Sequence, residues 1–323
     1  MNPQPRPPAI RRWLQIAQVV IFLLVAAGLI WAIYQAAVQL REQPLAWREF
    51  VWWKISAAVP VCAVAVLLGG LAWQISLNQM GLPIKRHLAL RAYATSQLAK
   101  YIPGKAMVVV VRVAVLQVRG AALTLAIVSC FVETLFWLLV GSELAFAALM
   151  AFFPTQLFLV TLAAVCLFSA GVISSPPVLT RLANFATTRF ALGPLRNQTL
   201  RFTWGYILKM HLTFLGAWLL QVVSMWLVMA GVTGSFGGWD EGALALATVT
   251  TATIAGFLSM LPGGMGAREL VVIPLLATRF GLPQALTVAI LLRLANIGGE
   301  LILTAIMMLT RKLSGTSETS HRS

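Results

Sequence analysis

Long apolar runs separated by short polar loops make up nearly the whole chain. The runs at 14–38, 55–77, 121–142, 155–173, 205–231 and 283–309 are each close to the ~20 residues a helix needs to cross a bilayer. They predict an all-α polytopic membrane protein with about six full spans. Two further apolar segments are interrupted. The stretch 101–118 is broken at Pro103 and Gly104, and 243–280 is broken at Pro262, Gly263, Gly264 and Gly266. In hydrocarbon, a broken helix is tolerated only where the freed backbone groups face protein or a water-filled cavity.

Charge settles the expected topology. Arg6, Arg11 and Arg12 precede the first span, and Lys85, Arg86, Arg91 and Lys100 follow the second. Arg181, Arg189, Arg196 and Arg201 share one segment without an acid, and Arg311 and Lys312 follow the last span. The loop 232–241 has Asp240 and Glu241 and no base. By the positive-inside rule the basic segments, and with them both termini, are cytoplasmic. A full crossing at 101–118 would put the 174–202 loop outside, so this segment is expected to enter and return as a hairpin. Parity allows 243–280 to be a second hairpin or two crossings. The order span, broken segment, span then occurs twice with opposite orientation, which is the pattern of an inverted repeat in transporters.

Composition narrows the class further. The chain is 59% hydrophobic and 10% charged, with a net charge of +15. That excess of base fits loops facing anionic headgroups, and nucleic acid is not an expected partner. Cys62, Cys130 and Cys166 fall in apolar runs without metal-ligand spacing and read as small apolar residues. No metal or cofactor is expected. One membrane domain over 1–313 and a disordered cytoplasmic tail over 314–323 complete the expected layout.

Ionisable residues at membrane depth are functional candidates because they are costly to keep there. Arg268 and Glu269 directly follow the glycine break. A half-helix starting there presents unsatisfied N–H groups and a positive dipole end, which suits a phosphate. Arg293, Asn296 and Glu300 form one stripe in the last span, continued by Thr304. Arg293 and Glu300 stand roughly 10 Å apart along the axis, too far for a direct pair. Glu269 is the expected partner of Arg293, and Arg268 of Glu300. Lys105 and Arg112 share a face if their segment is helical, and Glu133 needs a base or a proton at mid-span. The alternative for each charge is an ion pair that holds helices together, or, for Lys105 and Arg112, side chains snorkelling to the headgroups.

Two stretches carry a family likeness: Tyr101-Ile-Pro-Gly-Lys105 with downstream Arg112, and Leu261-Pro-Gly-Gly-Met-Gly-Ala-Arg-Glu269. They resemble the signature segments of the lysylphosphatidylglycerol synthase transmembrane region, also called the flippase-like domain family. The resemblance covers nearly the whole chain. Residues 107–111 are bulkier than the family pattern at the first motif. The resemblance implies a bacterial inner-membrane protein that moves lipids between leaflets. Its implied partners are an anionic phospholipid or lipid-linked sugar, with a lipid-modifying enzyme as a possible protein partner. No aminoacyl-transferase domain is expected after the last span, and no enzyme motif is read in the sequence. The expected function is therefore lipid translocation, with Lys105, Arg112, Arg268, Glu269, Arg293, Asn296, Glu300 and Glu133 as substrate-binding candidates. The alternatives are a glycosyl- or aminoacyl-transferase-like membrane enzyme, or a non-catalytic partner of a lipid-modifying enzyme.

Overall fold

A computed structural model describes residues 47–101, 106–118, 121–152, 157–189, 199–259 and 261–319. The expected first span at 14–38 and the break residues Pro103, Gly104 and Lys105 lie outside the described residues. The elements are helical, in the order α1 (Trp52–Gln79), α2 (Arg86–Leu98), α3 (Ala106–Leu116), α4 (Ala121–Phe152), α5 (Leu157–Ser174), α6 (Pro176–Arg189), α7 (Trp204–Thr233), α8 (Trp239–Leu258), α9 (Glu269–Phe280) and α10 (Leu282–Thr319). Short 3-10 turns occupy Trp47–Glu49, Ala99–Tyr101 and Pro262–Gly264. Among the described residues, five helices are long and apolar enough to cross a membrane, or six if the pair α5–α6, bent by 63°, is one span. The protein is a multi-pass membrane protein.

The centre of the bundle is the antiparallel pair α1 and α7. At one end Lys54 donates to the Ala230 carbonyl (3.3 Å) and the Gly234 carbonyl (3.2 Å). This places a cation at the negative end of the α7 dipole. Midway, Cys62 Sγ and Ser224 Oγ are 2.9 Å apart, and at the other end Ser76 and Tyr206 hydroxyls are 2.9 Å apart. Thr203 caps the start of α7 by accepting from the Tyr206 N–H (3.2 Å), and Gly234 ends it at φ +84°. Both are residue types that local sterics select at helix ends.

Around this pair, α10 packs on α1, α2 and α7, and α4 packs on α7, α8 and α1. Close approach relies on small residues, as is usual where lipid removes the hydrophobic drive between helices. A Cβ on Gly299 would lie 2.8 Å from the Ala63 nitrogen and 2.9 Å from the Val59 carbonyl oxygen. On the other side of the bundle, Gly141 of α4 receives the Trp218 indole of α7 in the same way.

Several elements differ from the sequence expectation. The first broken segment begins at Arg86 rather than near 101, because α2 leads into the break. The polar stretch 174–202, read as a loop, contains α6, whose Leu179, Ala183 and Thr187 recur every four residues and are buried. The run 155–173 is the 18-residue α5, followed after a 63° bend by α6. In the segment 243–280, α8 is long enough to cross. The 12-residue α9 covers about 18 Å, well short of the ~30 Å hydrocarbon core. The last helix is assigned over Leu282–Thr319, and 320–323 lie outside the described residues.

Candidate functional site

The turn that leads into the first break meets the second break. A Cβ on Gly263 would lie 2.8 Å from Tyr101 Cδ1 and 3.7 Å from Arg293 Nη2. The turn Ala99–Tyr101 therefore rests on the turn Pro262–Gly264, with Arg293 of α10 beside both. Gly263, Gly264 and Gly266 sit at φ +58°, +67° and +80°, a region that costs an L side chain about 1–2 kcal/mol. Gly264 is also sterically closed, because its Cβ would be 3.0 Å from Gly256 Cα. Gly264→Ala is expected to lower the thermal unfolding midpoint in detergent, by a loss of at least ~1 kcal/mol. An unchanged midpoint would show that the break tolerates an ordinary residue.

The second break ends in a well-built helix start. The Leu270 N–H bonds to the Gly266 carbonyl (2.9 Å), and the Gly266 N–H bonds back to Glu269 Oε2 (2.8 Å). This is the reach-back half of a capping box. The other carboxylate oxygen of Glu269 accepts from Arg293. Glu269 thus closes the helix start and pairs with the last span, as the spacing led one to expect.

Arg268 folds back across the break. Its side chain lies against Gly256 of α8 and Gly264, where Cβ atoms would meet Arg268 Nε at 2.9 and 3.2 Å. Only glycine at 256 leaves room for this path. The expected pair with Glu300 does not form. Glu300 instead accepts from Lys100, which arrives from the other break, and hydrogen-bonds Tyr101. The reason is reach: the meeting of the two turns puts Lys100 over Glu300, while Arg268 is turned toward α8. Arg268 Nε is shut off from solvent without a hydrogen-bond partner among the described residues, and so is Glu300 Oε2. Buried polar atoms of this kind need a stated reason.

Arg268, Glu269, Arg293 and Asn296 line one small cavity with Tyr101, Gln221 of α7 and Thr253 of α8. Its volume is about 40 Å³, enough for a water or two and too small for a lipid headgroup. The stripe on α10 faces inward as spaced. Asn296 bonds its own helix at the Leu292 carbonyl (2.9 Å), and Thr304 bonds the Ala94 carbonyl of α2 (3.1 Å).

Arg112 and Glu133 do not reach this cavity. They form a separate buried cluster joining α3, α4, α2 and α1. Arg112 Nη1 donates to Glu133 Oε2 (2.8 Å) and Nε to Ser96 Oγ (3.1 Å). The Tyr93 hydroxyl donates to Glu133 Oε1 (3.2 Å). The guanidinium lies over the rings of Tyr93 (4.3 Å) and Trp73 (4.9 Å). Both carboxylate oxygens are therefore engaged, and the residues are 2% and 5% exposed. Glu143 lies within α4, which runs on to Phe152, and it faces His211 at 3.4 Å.

Sequence reading missed Gln221 and Thr253, and it noted Lys100 only among the basic residues after the second span. Gln221 had a signal, since it is an amide in the apolar middle of α7. Thr253 had none, because α8 carries several threonines. Residues 15–303 match the family model described as the lysylphosphatidylglycerol synthase TM region. No curated protein sequence matches the chain.

Proposed function

The chain belongs to the lysylphosphatidylglycerol synthase transmembrane-region family, a membrane domain tied to lipid handling rather than a catalytic domain, and from that premise we propose that it is a lipid translocator. The substrate is an anionic phospholipid or lipid-linked phosphate whose headgroup enters the cavity between the two breaks while its tails stay in the bilayer. The observation that carries this reading is Arg268: a cation beside the cavity whose Nε is shut off from solvent with no acceptor among the described residues. A phosphate supplies the missing acceptor, and charge-assisted bonds of this kind are among the strongest available.

The closed cavity is then an occluded state, in which Glu269 holds Arg293 in the place of a substrate anion. Alternation between faces finds support in the contact pattern of the helices. Exchanging α1 with α7, α2 with α8, α3 with α9 and α4 with α10 maps contacts onto contacts. The pair α2–α10 becomes α8–α4, α1–α10 becomes α7–α4, α1–α2 becomes α7–α8, and the meeting of the two breaks maps onto itself. Two halves so related are the means by which inverted-repeat transporters open to either side.

Mass spectrometry of co-purifying lipids tests the reading. An anionic lipid enriched by the wild type and lost from Arg268→Ala supports it; the same lipids in both, at the same levels, overturn it. Glu269→Gln gives a second check. The amide oxygen keeps the bond to Gly266 N–H but no longer neutralises Arg293. Retention of the anionic lipid is expected to rise by roughly tenfold, about 1.4 kcal/mol. A fall in retention would mean that Glu269 does not compete with the substrate.

A further inference from the structure

On α1 the residues Leu68, Leu71 and Ile75 form an apolar stripe, and Leu212 of α7 faces it across a groove of about 360 Å³. None of the groove's lining residues also lines the polar cavity. One end of the groove is polar, formed by Gln74 and by Arg86 at the start of α2. Leu68 leans onto α7 at the other end, where a Cβ on Gly216 would lie 3.3 Å from Leu68 Cδ1.

We propose that this groove is a second lipid site, which holds one anionic phospholipid of the leaflet on the arginine-rich side, with an acyl chain along the stripe and the phosphate at Arg86. The length and chemistry of the groove fit both parts of such a molecule. Leu68, Leu71 and Ile75 follow one another at helical spacing over roughly 10 Å, and a surface of this kind at membrane depth is covered by hydrocarbon rather than water. The polar end offers donors. Arg86 is exposed and makes no hydrogen bond or ion pair with a described residue, and the Gln74 amide is likewise without a described partner.

The local charge selects an anion. The sequence carries no acid between Glu49 and Glu133, while Lys85 and His87 flank Arg86, and Lys209 lies one turn from Thr213 on the opposite wall. Among the described residues no acid lines the groove, and Glu143, which faces His211 beside the wall residue Leu212, is engaged by that histidine. Basic pockets between membrane helices on the cytoplasmic side have this character, and they recognise anionic headgroups. Free phosphate would leave the apolar stripe unused, and an uncharged lipid would leave Arg86 without a counter-ion.

Native mass spectrometry of the full chain, titrated with phosphatidylglycerol or with phosphatidylcholine of the same chain length, tests the site. The wild type is expected to hold one phosphatidylglycerol at least roughly tenfold more tightly than phosphatidylcholine, as one charge-assisted contact would give. In the Arg268→Ala background, which removes the cavity's anion ligand, Arg86→Gln should erase that preference, Arg86→Lys should restore most of it, and Leu71→Trp, which fills the groove, should remove binding of both lipids. Thermal midpoints of the variants show whether they are folded, and the Gln and Lys pair reads charge at constant fold. Arg268→Ala should leave this lipid in place, so failure of the translocator reading would not remove it. Equal binding of the two lipids by the wild type would overturn the proposal. So would a preference that survives both Arg86→Gln and Leu71→Trp in the Arg268→Ala background, or one lost in Arg268→Ala alone.

Discussion

Arg112→Met is expected to destabilise the protein by about 3–5 kcal/mol, the range seen when one partner of a buried ion pair is removed. The cost comes from what stays behind. Glu133 would keep one neutral donor, Tyr93, and lose the guanidinium that meets its other oxygen. Ser96 would lose a donor, and Tyr93 and Trp73 the cation over their rings. The double variant Arg112→Met with Glu133→Gln should recover most of the loss, because replacing both charges removes the uncompensated one. Thermal unfolding in detergent measures this. If the double variant also moves lipid, the cluster is a joint that ties α3 to α4, whereas a stable but inactive double variant would make it part of the transport site.

Arg268→Ala should have the larger effect on activity and the smaller one on stability. In liposomes, with a fluorescent phosphatidylglycerol and an impermeant quencher added outside, its translocation rate is expected to fall roughly 10- to 100-fold, equivalent to losing about 1.5–3 kcal/mol of charged hydrogen bonding. Its thermal midpoint should hold or rise, since Arg268 Nε has no partner to lose among the described residues. A wild-type rate in the variant would remove Arg268 from the site. A collapsed midpoint would instead make its packing against Gly256 structural.

The parts of this protein legible in its sequence are those written in charge and backbone chemistry. A stripe at helical spacing told which face of α10 turns inward, and Pro-Gly-Gly told where α8 must stop. The pair Glu269–Arg293 followed from two charges that needed partners. The failure at Arg268 and Glu300 has a geometric cause. Lys100 reaches Glu300 only because the two breaks touch, and contact between turns more than 150 residues apart leaves no local trace. The helices α2 and α6 were missed for another reason: a search for long apolar runs passes over short amphipathic helices. The stripe of Ala89, Ala92, Tyr93 and Ser96 was nonetheless there to be read. The residues expected to carry the first motif's basic charge and bend, Lys105 with Pro103 and Gly104, fall outside the described residues.

The contact of Gly299 with the backbone at Val59 and Ala63 has a mechanical meaning. Helices that interlock through large side chains must climb out of one another to shift. A helix seated on bare main chain meets a smoother bearing and can travel along its own axis. The rod that rests on this bearing carries Arg293 and Glu300, each latched to a different break. A single stroke of that rod would release or engage both latches together.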